Sequence, residues 1–154
     1  MNKRTMLFTL AVCFAGVTAG FAADPNMGTW KLNEAKSKFS PGAPKNQTVV
    51  YEAAGDNVKV TVDGMDSAGQ RLHNEWTGKF DGKDYPITGS PTGDMRSYKR
   101  VNDRTLTFTE KKGGKVLTSG RVVVSVDGKS RTVTTTGTNA QGQQISTTAV
   151  YDKQ

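Results

Sequence analysis

Cysteine is all but missing from this chain. The single residue, Cys13, lies in the apolar N-terminal run Met6 to Phe21, so the rest of the sequence has no thiol for a disulfide, a cysteine nucleophile or a thiolate metal site. Histidine is as scarce, since His73 stands alone and a two-histidine metal site is excluded. Apolar spacing with a helical period is missing from Gly28 onward. Dense blocks of one charge are missing too. The formal net charge is +7, and a cation excess survives removal of Lys3 and Arg4, yet the densest basic runs are only Lys111-Lys112 and Lys36-Ser37-Lys38. Aromatic residues do not interleave with the basic ones, so a nucleic-acid partner is not expected. The scattered charge reads as ordinary solubility charge, and the partners such a surface could meet are anionic lipid, polysaccharide or a carboxylate ligand.

What is present begins with a targeting signal. Lys3 and Arg4 precede the apolar run, which ends in Gly20-Phe21-Ala22-Ala23 before Asp24-Pro25. A basic start, an apolar middle and small residues at the cut make a cleavable secretory signal over residues 1–22. The mature chain, 23–154, is then expected outside the cytoplasm, either periplasmic or secreted. No basic stop-transfer flank follows, so no integral membrane anchor is expected. Leu10-Ala11-Val12-Cys13 departs from a lipoprotein box at the bulky Val12. Roughly 130 residues suit one domain with a single core, read here as a monomer.

From Gly28 onward the chain consists of short β-branched runs separated by glycine turns. Valines alternate with polar residues in Val58-Lys59-Val60-Thr61-Val62, as a half-buried strand requires. Strands are expected at Thr29–Leu32, Gln47–Glu52, Val58–Val62, Leu72–Phe80, Met95–Val101, Thr105–Lys111, Lys115–Val126, Ser130–Gly137 and Gln143–Asp152. Turns such as Gly55-Asp56-Asn57, Gly113-Gly114 and Asp127-Gly128 are too short for parallel crossovers, so neighbours must be antiparallel. The fold class is therefore all-β: an antiparallel up-and-down meander of roughly eight to ten strands, closed into a barrel because an open sheet would expose both edges. Residues 33–46, with Pro41-Gly42 and Pro44, read as a long non-strand stretch carrying a helical turn at Glu34-Ala35-Lys36-Ser37 and crossing an open barrel end.

Gly28-Thr29-Trp30 resembles the Gly-x-Trp opening of lipocalins and fatty-acid-binding proteins, and Ala149-Val150-Tyr151 resembles the last strand of the latter, which usually reads Arg-x-Tyr. The resemblance implies a lipocalin-like barrel with Trp30 plugging its closed end. Ala149 stands where fatty-acid binders place a carboxylate-gripping arginine, so that role transfers to no residue here. Residues 33–46 are too few for the two-helix lid of that family, and no helix follows the last strand.

Alternation along the strands makes Trp30, Leu72, Asn74, Trp76, Phe80, Ser97, Phe108, Thr135 and Thr147 the candidate ligand-binding residues, facing an interior also lined by Leu32, Val58, Val60, Val62, Leu106 and Ile145. Asp63 with Asp66, and Asp81 with Asp84, sit beside glycine turns where Asp bonds its own backbone. Asn46-Gln47-Thr48 matches a glycosylation acceptor, but the signal has a bacterial look. No motif implies a catalytic group, a metal or a cofactor. The expected function is non-catalytic binding of a small, largely apolar ligand inside the barrel, and the alternative is a filled barrel that binds partners through its loops and basic face. A cavity of roughly 300 Å³ or more would favour the first and a packed core the second. The targeting signal carries its own test: N-terminal sequencing of exported protein should begin at Ala23 or Asp24, and an intact Met1 would remove the signal assignment.

Overall fold

The computed structural model describes residues 23–154. Residues 1–22, expected to be a secretory signal and including Cys13, lie outside the described residues. Ten strands follow one another: β1 (Gly28–Phe39), β2 (Lys45–Ala54), β3 (Asn57–Met65), β4 (Arg71–Gly78), β5 (Tyr85–Thr88), β6 (Met95–Asn102), β7 (Thr105–Lys112), β8 (Lys115–Val124), β9 (Ser130–Thr138) and β10 (Gln144–Lys153). Each pairs antiparallel with the next, and β10 pairs back onto β1, so the meander closes into a barrel without free edges.

Side-chain alternation sets what lies inside. On β4, Leu72, Asn74, Trp76 and Gly78 are buried while Arg71, His73 and Thr77 are exposed. On β10, Ile145, Thr147, Ala149 and Tyr151 are buried while the residues between Gln144 and Thr148 that alternate with them face solvent. The outward wall of β4 is charged, the reverse of the apolar band a lipid-facing barrel presents. No helix among the described residues is long and apolar enough to cross a membrane.

The meander also sorts the connections. The β2–β3, β4–β5, β6–β7 and β8–β9 turns share one end with both strand termini at Gly28 and Lys153, and the other five connections share the opposite end. The first end is packed. Trp30, Val60, Trp76, Leu106, Val122 and Val124 are its most deeply buried apolar side chains. The Trp30 indole N–H donates to the Asn26 carbonyl at 3.0 Å, and the Trp76 indole N–H to the Arg96 carbonyl at 2.8 Å. Trp76 stacks on Phe80 at 6.4 Å and meets Tyr98 edge-on at 4.8 Å, so these three rings form a continuous five-ring floor with Tyr85 and Tyr51. Gly78 makes room for this, because a Cβ there would stand 2.6 Å from the rings of both Trp76 and Tyr85.

Two expectations need correcting. Residues 33–46 are mostly strand: β1 runs on to Phe39, and the expected helical turn is a bulge. Asn33 pairs with Val150 and Lys38 with Thr148, so Glu34–Ser37 stand out opposite Ala149 alone. Side-chain bonds of Ser37 hold this bulge: its Oγ donates to the Asn33 carbonyl at 2.7 Å and accepts the Val150 N–H at 2.8 Å. The second correction is β5, which went unread among turn residues because it is four residues long and contains Pro86. It is held by two register pairs on each side. Strand β4 also ends at Gly78, leaving Phe80 in the connection beyond it.

Trp30→Ala removes a large, wholly buried ring with its hydrogen bond, and the expected cost is about 3–5 kcal/mol against the 5–15 kcal/mol that typically holds a domain. His73→Ala, at an exposed position on the outer face, should cost far less. Denaturant melts of the two variants should separate clearly, and coincident midpoints would contradict the packed floor.

Candidate functional site

Above the aromatic floor the interior is not filled. A cavity of about 150 Å³ extends from the rings of Tyr51, Tyr98 and Tyr151 to the loops of the opposite end. Its apolar wall includes Val62, Leu72, Phe108, Val122, Val133 and Ile145, and its polar groups include Asn74, Arg96, Glu110, Arg131, Thr135 and Asn139. Phe108 leaves space because its ring lies over Gly120, where a Cβ would stand 2.6 Å from the ring. The volume is half of what a drug-sized ligand needs, which excludes long lipids, but it matches the size of dry cavities that take up benzene.

The cavity contains buried charge. Arg96 on β6 and Glu110 on β7 are register partners, and their side chains pair at 2.5 Å. The other Glu110 oxygen accepts the hydroxyls of Ser90 at 2.6 Å and Thr92 at 2.7 Å, which ties the β5–β6 loop to the wall. Gly93 permits this approach, since a Cβ there would stand 2.3 Å from the Glu110 side chain. Burial alone would push the Glu110 carboxyl up, but the Arg96 charge and the Ser90, Arg96 and Thr92 hydrogen bonds outweigh it and hold the group below the usual carboxylate range. Burial likewise opposes charge on Arg96, and the neighbouring Tyr98 and Glu110 more than compensate. The pair is ionised.

Arg131 on β9 is the second buried cation, at 2% exposure. Its guanidinium lies 4.7 Å from the ring centres of Trp30 and Tyr51 and 5.0 Å from that of Tyr151. Burial pushes the Tyr151 phenol up to about 12, so it stays neutral, and its hydroxyl donates to the Asn46 carbonyl at 2.9 Å. At the mouth, loops are latched together. Ser67 Oγ donates to Gln141 Oε1 at 2.8 Å, and Asn139 Nδ2 to the Gly42 carbonyl at 3.0 Å.

Of the residues singled out from sequence, Leu72, Asn74, Phe108 and Thr135 line the cavity. Trp30, Trp76 and Phe80 do not; they belong to the packed floor, with Trp76 one ring behind Tyr98. Thr147 is buried on the inward face of β10 without lining the space. Ser97 is corrected: it faces away from the cavity and bonds the Thr109 hydroxyl at 2.6 Å, because Arg96 and Tyr98 take the inward positions of β6. The acidic pairs divide. Asp66 and Asp81 accept backbone N–H groups in their turns, whereas Asp63 meets His73 at 2.6 Å and Asp84 meets Lys111 at 2.7 Å. Sequence reasoning missed Tyr51, Arg96, Tyr98, Glu110, Arg131 and Tyr151. A signal for three of them was present, since an inward Phe108 places Glu110 on the same face, an inward Thr135 does the same for Arg131, and an inward Thr147 for Tyr151.

No family model and no curated protein matches the chain. Among solved structures it is similar to a redesigned beta barrel, mFAP1, bound to DFHBI, at 15% identity and TM-score 0.49, covering 86% of this chain and 98% of that one. It is also similar to EF1p2_mFAP2b bound to DFHBI, at 13% identity and TM-score 0.48, covering 86% and 97%.

Glu110→Ala leaves the Arg96 charge buried without its carboxylate and should cost about 3–5 kcal/mol, whereas Lys45→Ala, which breaks the exposed pair with Glu34, should cost at most about 1 kcal/mol. Because the folded-state pKa of Glu110 is depressed, its contribution is complete above the unfolded value of about 4.3 and is lost as pH falls toward the lower folded value. Stability measured against pH should therefore fall on acidification in the native protein and fall less steeply in Glu110→Gln.

Proposed function

We propose that this protein is a monomeric, extracytoplasmic, lipocalin-like barrel that binds a small molecule with an apolar body in its interior and does no chemistry on it. One observation carries the reading: the closed barrel keeps an internal space of about 150 Å³, walled by aliphatic and aromatic side chains and reached only through the loop end. Apolar walls with a few fixed polar groups are how ligand pockets are built. A space left open beside fully packed rings is unlike a core collapsed for stability alone. The non-catalytic part of the reading follows from Glu110, the buried carboxylate, which Arg96 holds ionised as a fixed countercharge instead of a group free to exchange a proton. The size of the space limits the occupant to about the size of benzene, smaller than the fatty acids and retinoids of larger barrels.

Toluene tests the interior directly. In an NMR titration it should bind saturably and shift signals of Phe108 and Thr135, and Thr135→Phe, which puts a ring into the space, should abolish the effect. Shifts confined to the outer face, or no saturable binding, would favour a loop- or surface-binding module with a functionally closed barrel.

A further inference from the structure

We infer that the outer face of β6–β10 is a docking surface for an anionic polysaccharide lying across the strands. The inference is independent of the interior and adds a partner of a different class. The basic residues of this wall are scattered along the chain, but strand pairing lines them up. Lys99, Thr107, Arg121, Thr134, Thr148 and Lys38 are successive register partners from β6 through β10 to β1. The neighbouring row, Thr109, Ser119, Thr136 and Ser146, carries a hydroxyl at every position. Alternation turns both rows outward, since Val122 and Thr147 are buried and Phe108 and Thr135 line the cavity. Between the rows lies a surface depression bordered by Thr107, Thr109, Ser119, Arg121, Thr134 and Thr136.

Charge is arranged differently on the two sides of the barrel. On β3 and β4 the outward cations stand beside carboxylates, with Lys59 at 3.2 Å from Glu75 and His73 at 2.6 Å from Asp63. Neither row on β6–β10 contains a carboxylate, and among the described residues Lys38, Lys99 and Arg121 form no ion pair. Asp81 is the next register partner beyond Lys99, but its carboxylate accepts the Lys83 N–H and the Tyr85 hydroxyl. The wall thus presents uncompensated positive charge among hydroxyls. Lys99 and Arg121 are two strands apart, about 10 Å at the usual strand separation, and Arg121 and Lys38 are three strands apart, about 14 Å. Those intervals are too wide to follow nucleic-acid phosphates, which recur at about 3.4 Å along a strand, and no aromatic ring stands in either row to stack on a base. Neither row holds an apolar side chain to sink into a lipid surface. A chain of sugar rings bearing carboxylate or sulfate groups meets both demands. Its anions pair with the spaced cations, and the Arg121 fork can take two oxygens at once. Its hydroxyls exchange hydrogen bonds with threonines whose stiff side chains have little rotamer entropy to lose.

NMR titration of the purified protein with polygalacturonate, dextran sulfate and neutral dextran at low salt provides the test. At least one of the two anionic polymers should bind saturably, shift the backbone signals of Thr107, Ser119 and Thr134, and weaken as salt rises, while dextran should not bind. The double variant Lys99→Gln/Arg121→Gln should lose at least about tenfold in affinity, as expected for two lost charge-assisted contacts. Arg71→Gln/Lys79→Gln removes the same charge from the far wall and should change affinity by less than about twofold. All four side chains are exposed, so both variants keep the core intact. Equal losses in the two variants, or signals shifting on another face, would overturn the docking surface. No binding of either anionic polymer, or equal binding of neutral dextran, would overturn the ligand class. Binding to phosphatidylglycerol vesicles in place of the polymers would assign the face to a membrane and overturn the proposal. None of these outcomes bears on toluene binding inside the barrel.

Discussion

When β1 pairs with β10, from Trp30 opposite Lys153 to Phe39 opposite Thr147, the sheet loses its last edges and its inner face becomes a volume cut off from water. Everything distinctive about the interior follows from that closure. An open ten-stranded sheet could leave Arg131 and Glu110 in solvent at no cost, whereas a closed one must give each buried charge a partner or bear its desolvation. The bulge at Glu34–Ser37 belongs to the same constraint, because it absorbs the extra residues of β1 while both ends of the strand keep their register with β10.

The two ends of the barrel satisfy the constraint differently. At the floor, large rings interlock and the indole N–H groups of both tryptophans find backbone carbonyls, so the packing is dense and both indoles are paired. Toward the loops, the inward residues are smaller or charged, and register alone brings Arg96 against Glu110. The pair does structural work beyond mutual neutralisation, since Glu110 also holds Ser90 and Thr92 and so anchors one of the loops over the cavity. Arg131 sits at the boundary, with its guanidinium against aromatic faces and its Nε and Nη1 buried without a hydrogen-bond partner. A packed floor and a polar, hydrogen-bonded mouth bound the space between them.

This changes the character of the interior from the one alternation alone implied. The candidate residues read from alternation, Asn74, Ser97, Thr135 and Thr147 among them, imply an interior with neutral polar groups. In the structure Ser97 lies on the outer face of β6 and three charged residues line the interior, Glu110 and Arg131 on the same faces as Phe108 and Thr135.

Local chemistry by itself determined the all-β class, the antiparallel meander, nearly every strand and the inward face of β4, since alternation and glycine turns act over a few residues and are written directly in the chain. It also determined that only one histidine could take part. Tertiary structure alone decided whether the interior would be packed or hollow, that Glu34–Ser37 would bulge instead of turning into a helix, and that short β5 would complete the ring. It alone decided, too, that Arg96, Glu110 and Arg131 would be buried. The free energy of burying a charge depends on what faces it across the barrel, and Arg96 meets Glu110, fourteen residues away, only through the register of β6 with β7. Cavity volume is likewise a sum over residues from every strand, and no local pattern encodes it.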